Sequence, residues 1–153
     1  MTNADLTHLD ADGTASMVDV SSKDIIRRTA VAEAHFHARP ETLDRLEAGD
    51  LPKGEALGTA RIAGIQAAKD CARLIPLCHP LPLNHIAIDI TRSAPDRMRV
   101  EAKVTAVART GVEMEALTAV SIAALTLYDM TKAVQQDSSV EGVRVMNKIK
   151  EPV

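Results

Sequence analysis

The chain has almost no aromatic side chains: Phe36 and Tyr128 stand alone, and tryptophan is absent from all 153 residues. Its core must therefore be packed from Ala, Val, Ile, Leu and Met. Proteins that bind single-stranded nucleic acids stack the bases on aromatic rings, so this composition argues against that class. A net charge of −3 and an isoelectric point near 5.9 also argue against nucleic-acid binding, which usually requires a basic face.

Long apolar runs are also missing. No run approaches the ~18 residues that cross a membrane, and the polar start MTNADLTHLDADG has no apolar core of a signal peptide. We therefore expect a cytoplasmic protein that does not associate with membranes. In that compartment Cys71 and Cys78, the two cysteines, are expected to stay reduced rather than form a disulfide.

The remaining composition is that of a globular protein, with 46% hydrophobic and 25% charged residues. A chain of this length favours one domain. We expect residues 1–15 to form a flexible polar arm and residues 16–153 to form a single catalytic domain.

Hydrophobic periodicity predicts the order of helices and strands. Residues alternate in polarity, as strands do, over 28–38, 85–92 and 97–109, and a last short strand is expected over 142–149. Main helices are expected over 59–73 and from 110 to about 136, with a short extra helix over 40–48. This β-α-β-β-α-β order predicts an α+β fold of the ferredoxin-like type, an antiparallel sheet with two main helices on one face. In the first main helix, Ala60, Gly64 and Ala68 form a smooth stripe that lets another backbone approach closely.

The second main helix is apolar on all sides. Residues 116–128 include no charge, so the helix must be buried all round, and we infer a helix–helix interface between chains. Glu115 and Asp129 flank this stretch, and a rise of 1.5 Å per residue places them roughly 21 Å apart. They cannot serve one small ligand within one chain. If two copies of this helix packed antiparallel across a two-fold axis, the start of one copy would lie near the end of the other. This arrangement predicts a site shared between subunits.

The segment IPLCHPLPLNH, residues 75–85, suggests a metal site or a nucleophile with its base. With Cys71 just before it, the segment offers four potential zinc ligands, Cys71, Cys78, His79 and His85. Their spacing fits no familiar zinc site, and neighbouring Cys78 and His79 diverge in an extended chain. We therefore predict no metal site, a buried thiol at Cys78 and a hydrogen-bonded imidazole at His79. His35 and His37 share a strand face, where two exposed strand positions are favoured over a metal pair.

The charged residues near the two ends of the long helix are candidates for either a structural or a functional role. Asp129 and Lys132, three residues apart, suit either a surface ion pair or a site in which a desolvated lysine of lowered pKa exchanges protons. Glu113 is explained by a capping box with Thr110. Glu115 has no such explanation, one turn into an apolar helix.

Several motifs in series resemble one family. They are MVDVSSK (17–23), KGE (53–55), ARIAGIQAAK (60–69), LIPLCHP (74–80), ARTGVEMEALTA (108–119) and LYDMTKAVQ (127–135), with LTH (6–8) before them. Together they resemble the MoaC-type cyclic pyranopterin monophosphate synthases of molybdenum cofactor biosynthesis. The resemblance runs from residue 6 to residue 148, in order and at matching spacing.

The resemblance implies a lyase that converts 3′,8-cyclo-7,8-dihydro-GTP to cyclic pyranopterin monophosphate and releases diphosphate. A radical-SAM enzyme would supply the substrate, because this chain has no three-cysteine cluster motif. The family implies a hexamer built as a trimer of dimers, with the pocket at the dimer interface. It implies no resident cofactor, and a divalent ion accompanying the triphosphate is left open.

The same resemblance implies the site residues. The catalytic set corresponds to Asp129 with Lys53 and Lys132. The substrate-binding set corresponds to Leu77, Cys78, His79, Met114 and Glu115, with Arg28, Asp19, Glu113 and Arg73 as further pocket residues. Of the two imidazoles in the segment of residues 75–85, His79 alone is expected to meet substrate, whereas His85 lies apart. The rival interpretations are a ferredoxin-like module that binds a nucleotide without turning it over and a zinc-dependent hydrolase.

Overall fold

The computed structural model describes residues 8–153. The strands are β1 (Ile26–His37), β2 (Leu83–Ala94), β3 (Arg97–Ala108) and β4 (Ser139–Glu151), and the helices are α1 (Pro40–Ala48), α2 (Ala56–Lys69), α3 (Cys71–Leu74) and α4 (Glu113–Thr131). The strands form one sheet in the order β2-β3-β1-β4, with antiparallel neighbours throughout. With α2 and α4 packed on it and α1 as the short extra helix, this is the predicted α+β, ferredoxin-like arrangement.

The central strand β1 shows why the alternating pattern predicted the sheet. Ala30, Ala32, Ala34 and Phe36 are at most 1% exposed and meet the helices, as their period of two requires. On β3 the same holds for the alternate positions Met98, Val100, Ala102, Val104 and Ala106. The last strand is longer than predicted, spanning Ser139–Glu151 rather than 142–149, because its whole length pairs with β1.

The predicted helix over 59–73 is two helices. It begins earlier, at Ala56, because the Glu55 carboxylate accepts from the backbone N–H of Gly58 and so caps the first turn. It ends earlier, at Lys69, and one further turn, α3, follows from Cys71 to Leu74. Asp70 lies at the break, where its carboxylate accepts from the Gln66 amide, as Asp commonly does at helix ends. The chain therefore turns well before Pro76.

The start of α4 differs from the predicted capping box. Val112 is the N-cap residue, it has no side-chain capping bond, and Glu113 is the first helical residue. Its carboxylate instead forms an ion pair with Lys148 of β4, at 2.5 Å. The Glu113 carboxylate, which a capping box would use to cap the helix, is thus paired with a strand residue instead.

Helices α2 and α4 approach closely along the predicted small-residue stripe. A methyl group added at Gly64 would lie 3.0 Å from the Ala119 carbonyl oxygen and 3.2 Å from the Ala123 side chain. Much of the apolar surface of α4 is therefore covered by α2 of the same chain, in addition to the sheet. Met114 and Leu125 remain 37% and 53% exposed. The side of α4 that carries these two residues is therefore the part left for the inferred interface between chains.

The predicted N-terminal arm lies partly outside the described residues, because the description begins at His8. From there the chain makes a small turn, in which Leu9 bridges to Ala15 and the Asp10 carboxylate accepts from the backbone of Asp12 and Thr14. The flexibility of residues 1–15 stays a prediction. Within residues 8–153, no helix is long and apolar enough to cross a membrane.

Candidate active site

Asp129 is held between two lysines at the end of α4. Lys53, from the loop before α2, donates to one carboxylate oxygen at 2.7 Å, and Lys132 donates to the other at 2.7 Å. All three side chains are roughly half exposed. We call this group the lysine–aspartate cluster; it unites the three residues predicted to be catalytic.

The cluster is strongly polarised. The Lys132 ammonium, followed by that of Lys53, lowers the pKa of Asp129 to about 2. In return, hydrogen bonding to Asp129 raises the pKa of Lys132 above its ordinary value. Of the two alternatives for this pair, the lysine of lowered pKa does not hold for Lys132 in the single chain, because its carboxylate partner outweighs desolvation. The surface ion pair and the candidate catalytic group are the same feature.

A second cluster lies at the start of α4, around Glu115. This carboxyl group is 2% exposed, and burial raises its pKa. The Cys78 thiol lies 3.7 Å from Glu115 Oε1, and burial, followed by the charge of Glu115, raises the pKa of Cys78 to about 12. A thiol that remains protonated is a poor nucleophile, in agreement with the buried thiol predicted at Cys78.

His79 ties the proline-rich segment to the N-terminal segment. Its Nε2–H donates to the carbonyl oxygen of Val18 at 2.7 Å. Beside it lies an open pocket of about 380 Å³, lined by Met17, Val18, Asp19, Val20, Ser21, His79 and Arg109. Hydrogen bonds from the side chain and backbone of Ser21 lower the pKa of Asp19. Two predicted substrate-binding residues, Asp19 and His79, therefore share one cavity, while His85 lies apart at the exposed start of β2.

Arg28 and Glu113 lie on the other side of this end of α4. Arg28 donates to the Arg109 carbonyl oxygen at 3.0 Å, and its Nε is buried with no hydrogen-bond partner among the described residues. Burial works to raise the pKa of Glu113, but Lys148, with a smaller contribution from Arg28, holds that pKa below its ordinary value. Glu113 is thus an ionised carboxylate.

Not every predicted residue joins these groups. Leu77 is half-buried next to Cys78, and Met114 is exposed at the start of α4. Arg73 is 85% exposed on α3, with Asp70 as its ion-pair partner at 3.9 Å. Within one chain it therefore faces solvent rather than either cluster.

The two clusters stand at opposite ends of α4. Asp129 lies fourteen positions after Glu115 in one continuous helix, so the groups are roughly 21 Å apart. The single chain therefore does not bring its predicted catalytic and substrate-binding residues together.

His35 and His37 are not the exposed pair that the sequence favours. Their side chains are 17% and 31% exposed, and their Nε2 atoms lie 3.4 Å from Glu33 and 3.5 Å from Glu141. Glu33 is the reason: it is buried on the outer face of the sheet, with Arg99 and Arg144 paired to it. Because Glu33 is buried, the His35 side chain that contacts it is also largely covered.

Sequence reasoning missed one neighbour of the site. Cys71 Sγ lies 3.9 Å from Cys78 Sγ and 3.5 Å from Thr118 Oγ1. The seven-residue spacing of the cysteines was visible, but the predicted helix ran straight through Cys71. The helix break at Asp70 brings Cys71 beside Cys78, and no local sequence pattern marks that break.

The family model described as MoaC family matches residues 17–150, a range that holds both ends of α4 and every side chain of the two clusters. The chain belongs to the MoaC family. This MoaC-family chain is also similar over nearly its whole length to three curated proteins, each named cyclic pyranopterin monophosphate synthase. The relative from Roseiflexus castenholzii is 57% identical over 146 residues, covering 95% of this chain and 92% of that protein.

The other two relatives come from Nostoc sp. and Corynebacterium efficiens. The protein of Nostoc sp. is 55% identical over 150 residues, covering 95% of this chain and 88% of its own length. That of Corynebacterium efficiens is 54% identical over 145 residues, covering 95% and 93%. The MoaC-family match thus spans nearly the whole length of both partners in each comparison.

Proposed function

We propose that the chain is a lyase that converts 3′,8-cyclo-7,8-dihydro-GTP to cyclic pyranopterin monophosphate and releases diphosphate, in molybdenum cofactor biosynthesis. The observation that carries this proposal is the near full-length identity, 54–57%, to relatives named cyclic pyranopterin monophosphate synthase. A regulatory module that binds a nucleotide without catalysis finds no support among these relatives, all of which carry an enzyme's name.

The lysine–aspartate cluster suits the phosphate chemistry. Displacement of diphosphate develops negative charge on the leaving oxygens, and Lys53 and Lys132 are ammonium donors at one place to stabilise it. Asp129 holds both lysines in position before the substrate arrives. Once the phosphates take over the lysine hydrogen bonds, the Asp129 carboxylate is freed to accept a proton from the substrate.

The cluster around Glu115 suits the remaining proton transfers. Opening the purine's five-membered ring and rebuilding a pterin requires protons to be both removed and donated. A buried carboxyl group of raised pKa, such as Glu115, keeps a proton available to higher pH than an exposed one does. His79, Cys78, Leu77 and Met114 would form the wall against which the purine lies, with Asp19, Arg28 and Glu113 at its margin.

The site is shared between subunits in this proposal. Roughly 21 Å separates the two clusters within one chain, a span too long for one small substrate. A two-fold pairing that sets α4 antiparallel to its copy joins the start of one helix to the end of the other. The exposed flank with Met114 and Leu125 is the surface offered for it. Three such dimers would give the hexamer, and Arg73, solvent-facing in one chain, would help to hold the triphosphate there.

The proposal requires no resident cofactor, and it is compatible with a divalent ion that arrives with the triphosphate. The substrate would come from a radical-SAM cyclase acting on GTP, in the cytoplasm. No nucleic-acid or membrane partner is part of it.

Incubation of the purified, reduced protein with 3′,8-cyclo-7,8-dihydro-GTP tests the proposal directly. The expected result is one equivalent each of cyclic pyranopterin monophosphate and diphosphate per substrate consumed, followed by chromatography and a diphosphate assay. Asp129→Asn protein, assembled as the wild type is, should form neither product. Tight binding of the substrate by the wild type without turnover would instead favour the non-catalytic module.

A further inference from the structure

Three segments bring two thiols and a carboxyl group together at the start of α4. Cys71 comes from α3, Cys78 from the proline-rich segment and Glu115 from the first turn of α4. Their ligand atoms, two sulfurs and one carboxylate oxygen, all lie within 4.8 Å of one another. We call this group the thiol–carboxyl cluster. The proposed reaction uses Glu115 and the surface of Cys78, but it has no use for Cys71.

The cluster lacks a partner for its buried oxygen. Glu115 is 2% exposed, and its Oε2 is buried with no hydrogen-bond partner among residues 8–153. The weak thiol donor of Cys78 lies 3.7 Å from its other oxygen, and the backbone N–H of Glu115 itself also donates to the carboxyl group. Burying a carboxyl group with so little compensation costs free energy, which a cation held between the three groups would offset.

The spacing of the three atoms matches that of a tetrahedral zinc site. Zn–S bonds of about 2.3 Å and Zn–O bonds of about 2.0 Å at tetrahedral angles place two sulfurs about 3.8 Å apart and sulfur and oxygen about 3.5 Å apart. The observed separations are 3.9 Å between Cys71 Sγ and Cys78 Sγ, and 3.7 Å between Cys78 Sγ and Glu115 Oε1. The third separation, from Cys71 Sγ to the Glu115 carboxylate, is no more than 4.8 Å, so side-chain adjustments of about 1 Å or less would complete the site.

A second shell is also present. The hydroxyl of Thr118, one turn after Glu115 on α4, lies 3.5 Å from Cys71 Sγ, where it can donate to a metal-bound thiolate. Three protein ligands leave the fourth position of the ion open. Soft thiolates select thiophilic metals over Mg²⁺ or Ca²⁺, so the donor set favours Zn²⁺ among the common divalent ions.

We propose that Cys71, Cys78 and Glu115 bind one thiophilic divalent cation, Zn²⁺, and that the bound ion inhibits the enzyme by occupying Glu115 and Cys78. Binding replaces both thiol protons and the proton that the Glu115 carboxyl group carries when it is protonated; these protons pass to solvent, and no oxidation state changes. The binding site rests on the geometry of this chain alone, whereas inhibition rests also on the proposed function. The prediction of no metal site considered Cys71 and Cys78 with the two histidines and rejected them on spacing, but it did not include Glu115, which the fold brings to the two thiols.

An oxidative disulfide between the same cysteines is the less favoured use of the cluster. Burial raises the pKa of both thiols, so the thiolate that an oxidant needs is scarce. A disulfide would also leave Glu115 Oε2 without a partner. A metal ion displaces the thiol proton directly and satisfies the carboxylate.

Cobalt provides the first test, because its spectrum reports its ligands. The full-length protein is stripped of metal, reduced with a phosphine and titrated with Co²⁺. We expect thiolate-to-cobalt charge-transfer absorption and tetrahedral ligand-field bands that saturate at one ion per chain. Zn²⁺ should then displace Co²⁺, and the competition should yield a Kd of about 1 µM or tighter.

Variants locate the ion. Cys71→Ser should weaken Zn²⁺ binding by about 100-fold or more and abolish the charge-transfer band, while Thr118→Val should weaken binding about tenfold. His85→Ala, which removes an exposed imidazole outside the cluster, should bind as the wild type does. Absence of the charge-transfer band in the wild type, or an unchanged band in Cys71→Ser, would overturn the proposed site.

Turnover tests the inhibition. Zn²⁺ should inhibit the wild type at concentrations near its Kd, and an excess of chelator should restore activity. Cys71→Ser, which keeps Cys78 and Glu115, should retain the basal rate and resist Zn²⁺ by about 100-fold. Wild-type protein that binds Zn²⁺ and turns over unchanged would overturn the inhibition. Cobalt spectra as expected in a protein without synthase activity would count against the proposed function and not against the metal site.

Discussion

Lys53 donates a hydrogen bond of 2.7 Å to Asp129, a residue 76 positions later in the chain. This hydrogen bond joins the loop before α2 to the end of α4. Lys132 forms an ion pair with the other carboxylate oxygen of Asp129. An aspartate held by two ammonium groups stays ionised down to a pH of about 2. The single chain therefore presents two prepositioned cations next to a permanent anion, a suitable place for a phosphate to displace the carboxylate.

Removal of either lysine should impair the reaction while the protein stays assembled. We expect Lys53→Ala and Lys132→Ala to lower kcat/KM by about 100-fold or more, because each deletes an ammonium group that stabilises charge on the leaving diphosphate. Initial rates of diphosphate release measure the effect. Lys103→Ala, on an exposed position of β3, is the matched control and should be active. Normal product formation by either assembled lysine variant would remove that lysine from the mechanism.

A shared site makes two inactive variants rescue each other. Asp129→Asn damages one end of α4 and Glu115→Gln the other, so a mixed dimer contains one doubly damaged site and one intact site. Random pairing in a 1:1 co-expression should recover about a quarter of the wild-type activity. The measurement is the specific activity of the co-purified mixture against each variant alone. A mixture as inactive as its parents would place the whole site within one chain.

Close packing of α2 on α4 should make Gly64 intolerant of larger side chains. A Cβ at this position meets the Ala119 carbonyl oxygen at 3.0 Å and the Ala123 Cβ at 3.2 Å, and both belong to the rigid helix α4 rather than to the end of a flexible side chain. Gly64→Val should lower the free energy of unfolding by about 2–3 kcal/mol, despite the poor helix propensity of glycine. Urea denaturation measures the loss. Thr59→Val, at an exposed position of the same helix, should stay within about 0.5 kcal/mol of the wild type.

The buried Glu33 should make stability depend on pH in the acid range. Hydrogen bonds from Arg99 and Arg144 lower its pKa to about 2, whereas the unfolded chain returns it to about 4.5. Because the folded pKa is the lower one, the stabilisation is complete above about pH 4.5 and disappears as the pH falls toward about 2. Glu33→Gln should therefore cost about 2–3 kcal/mol at neutral pH, and that difference should shrink with acidification.

Urea titrations of both proteins between neutral pH and about pH 3 would check this dependence. Glu41→Gln serves as the control, because Glu41 is 70% exposed in its ion pair with Arg39 and should contribute less than about 0.5 kcal/mol. A difference between wild type and Glu33→Gln that stays constant across the titration would contradict the assignment.

The strands were predictable because their signal is local. Ala30, Ala32, Ala34 and Phe36 repeat every two residues, and such a period allows one buried face whatever the rest of the chain does. The small-residue stripe of α2 could be predicted for the same reason, and its Gly64 lies where α4 approaches closely. The predicted residues at the two ends of α4 also follow from sequence, through charges that bracket an uncharged helix.

The expectations that the structure did not bear out concern which charged groups meet. Glu113 pairs with Lys148 and not with a capping box, and His35 turns toward the buried Glu33. Of the two alternatives for Lys132, the ion pair with Asp129 holds, and it raises the lysine pKa. Lys148 lies far along the chain from Glu113, and no local pattern indicates that they meet; for His35 and Lys132 the carboxylate is close in sequence, but its environment depends on the fold.

By itself, the sequence determined the α+β fold, the small-residue contact between the main helices and the family to which the chain belongs, because periodicity and serial motifs are properties of order along the chain. The tertiary structure alone decided which charges meet. It placed Lys53 on Asp129, and it turned Cys71 toward Cys78 through a helix break at Asp70. Electrostatic and metal-ligand geometry depends on distances of a few ångströms between segments far apart in sequence, and packing alone sets those distances.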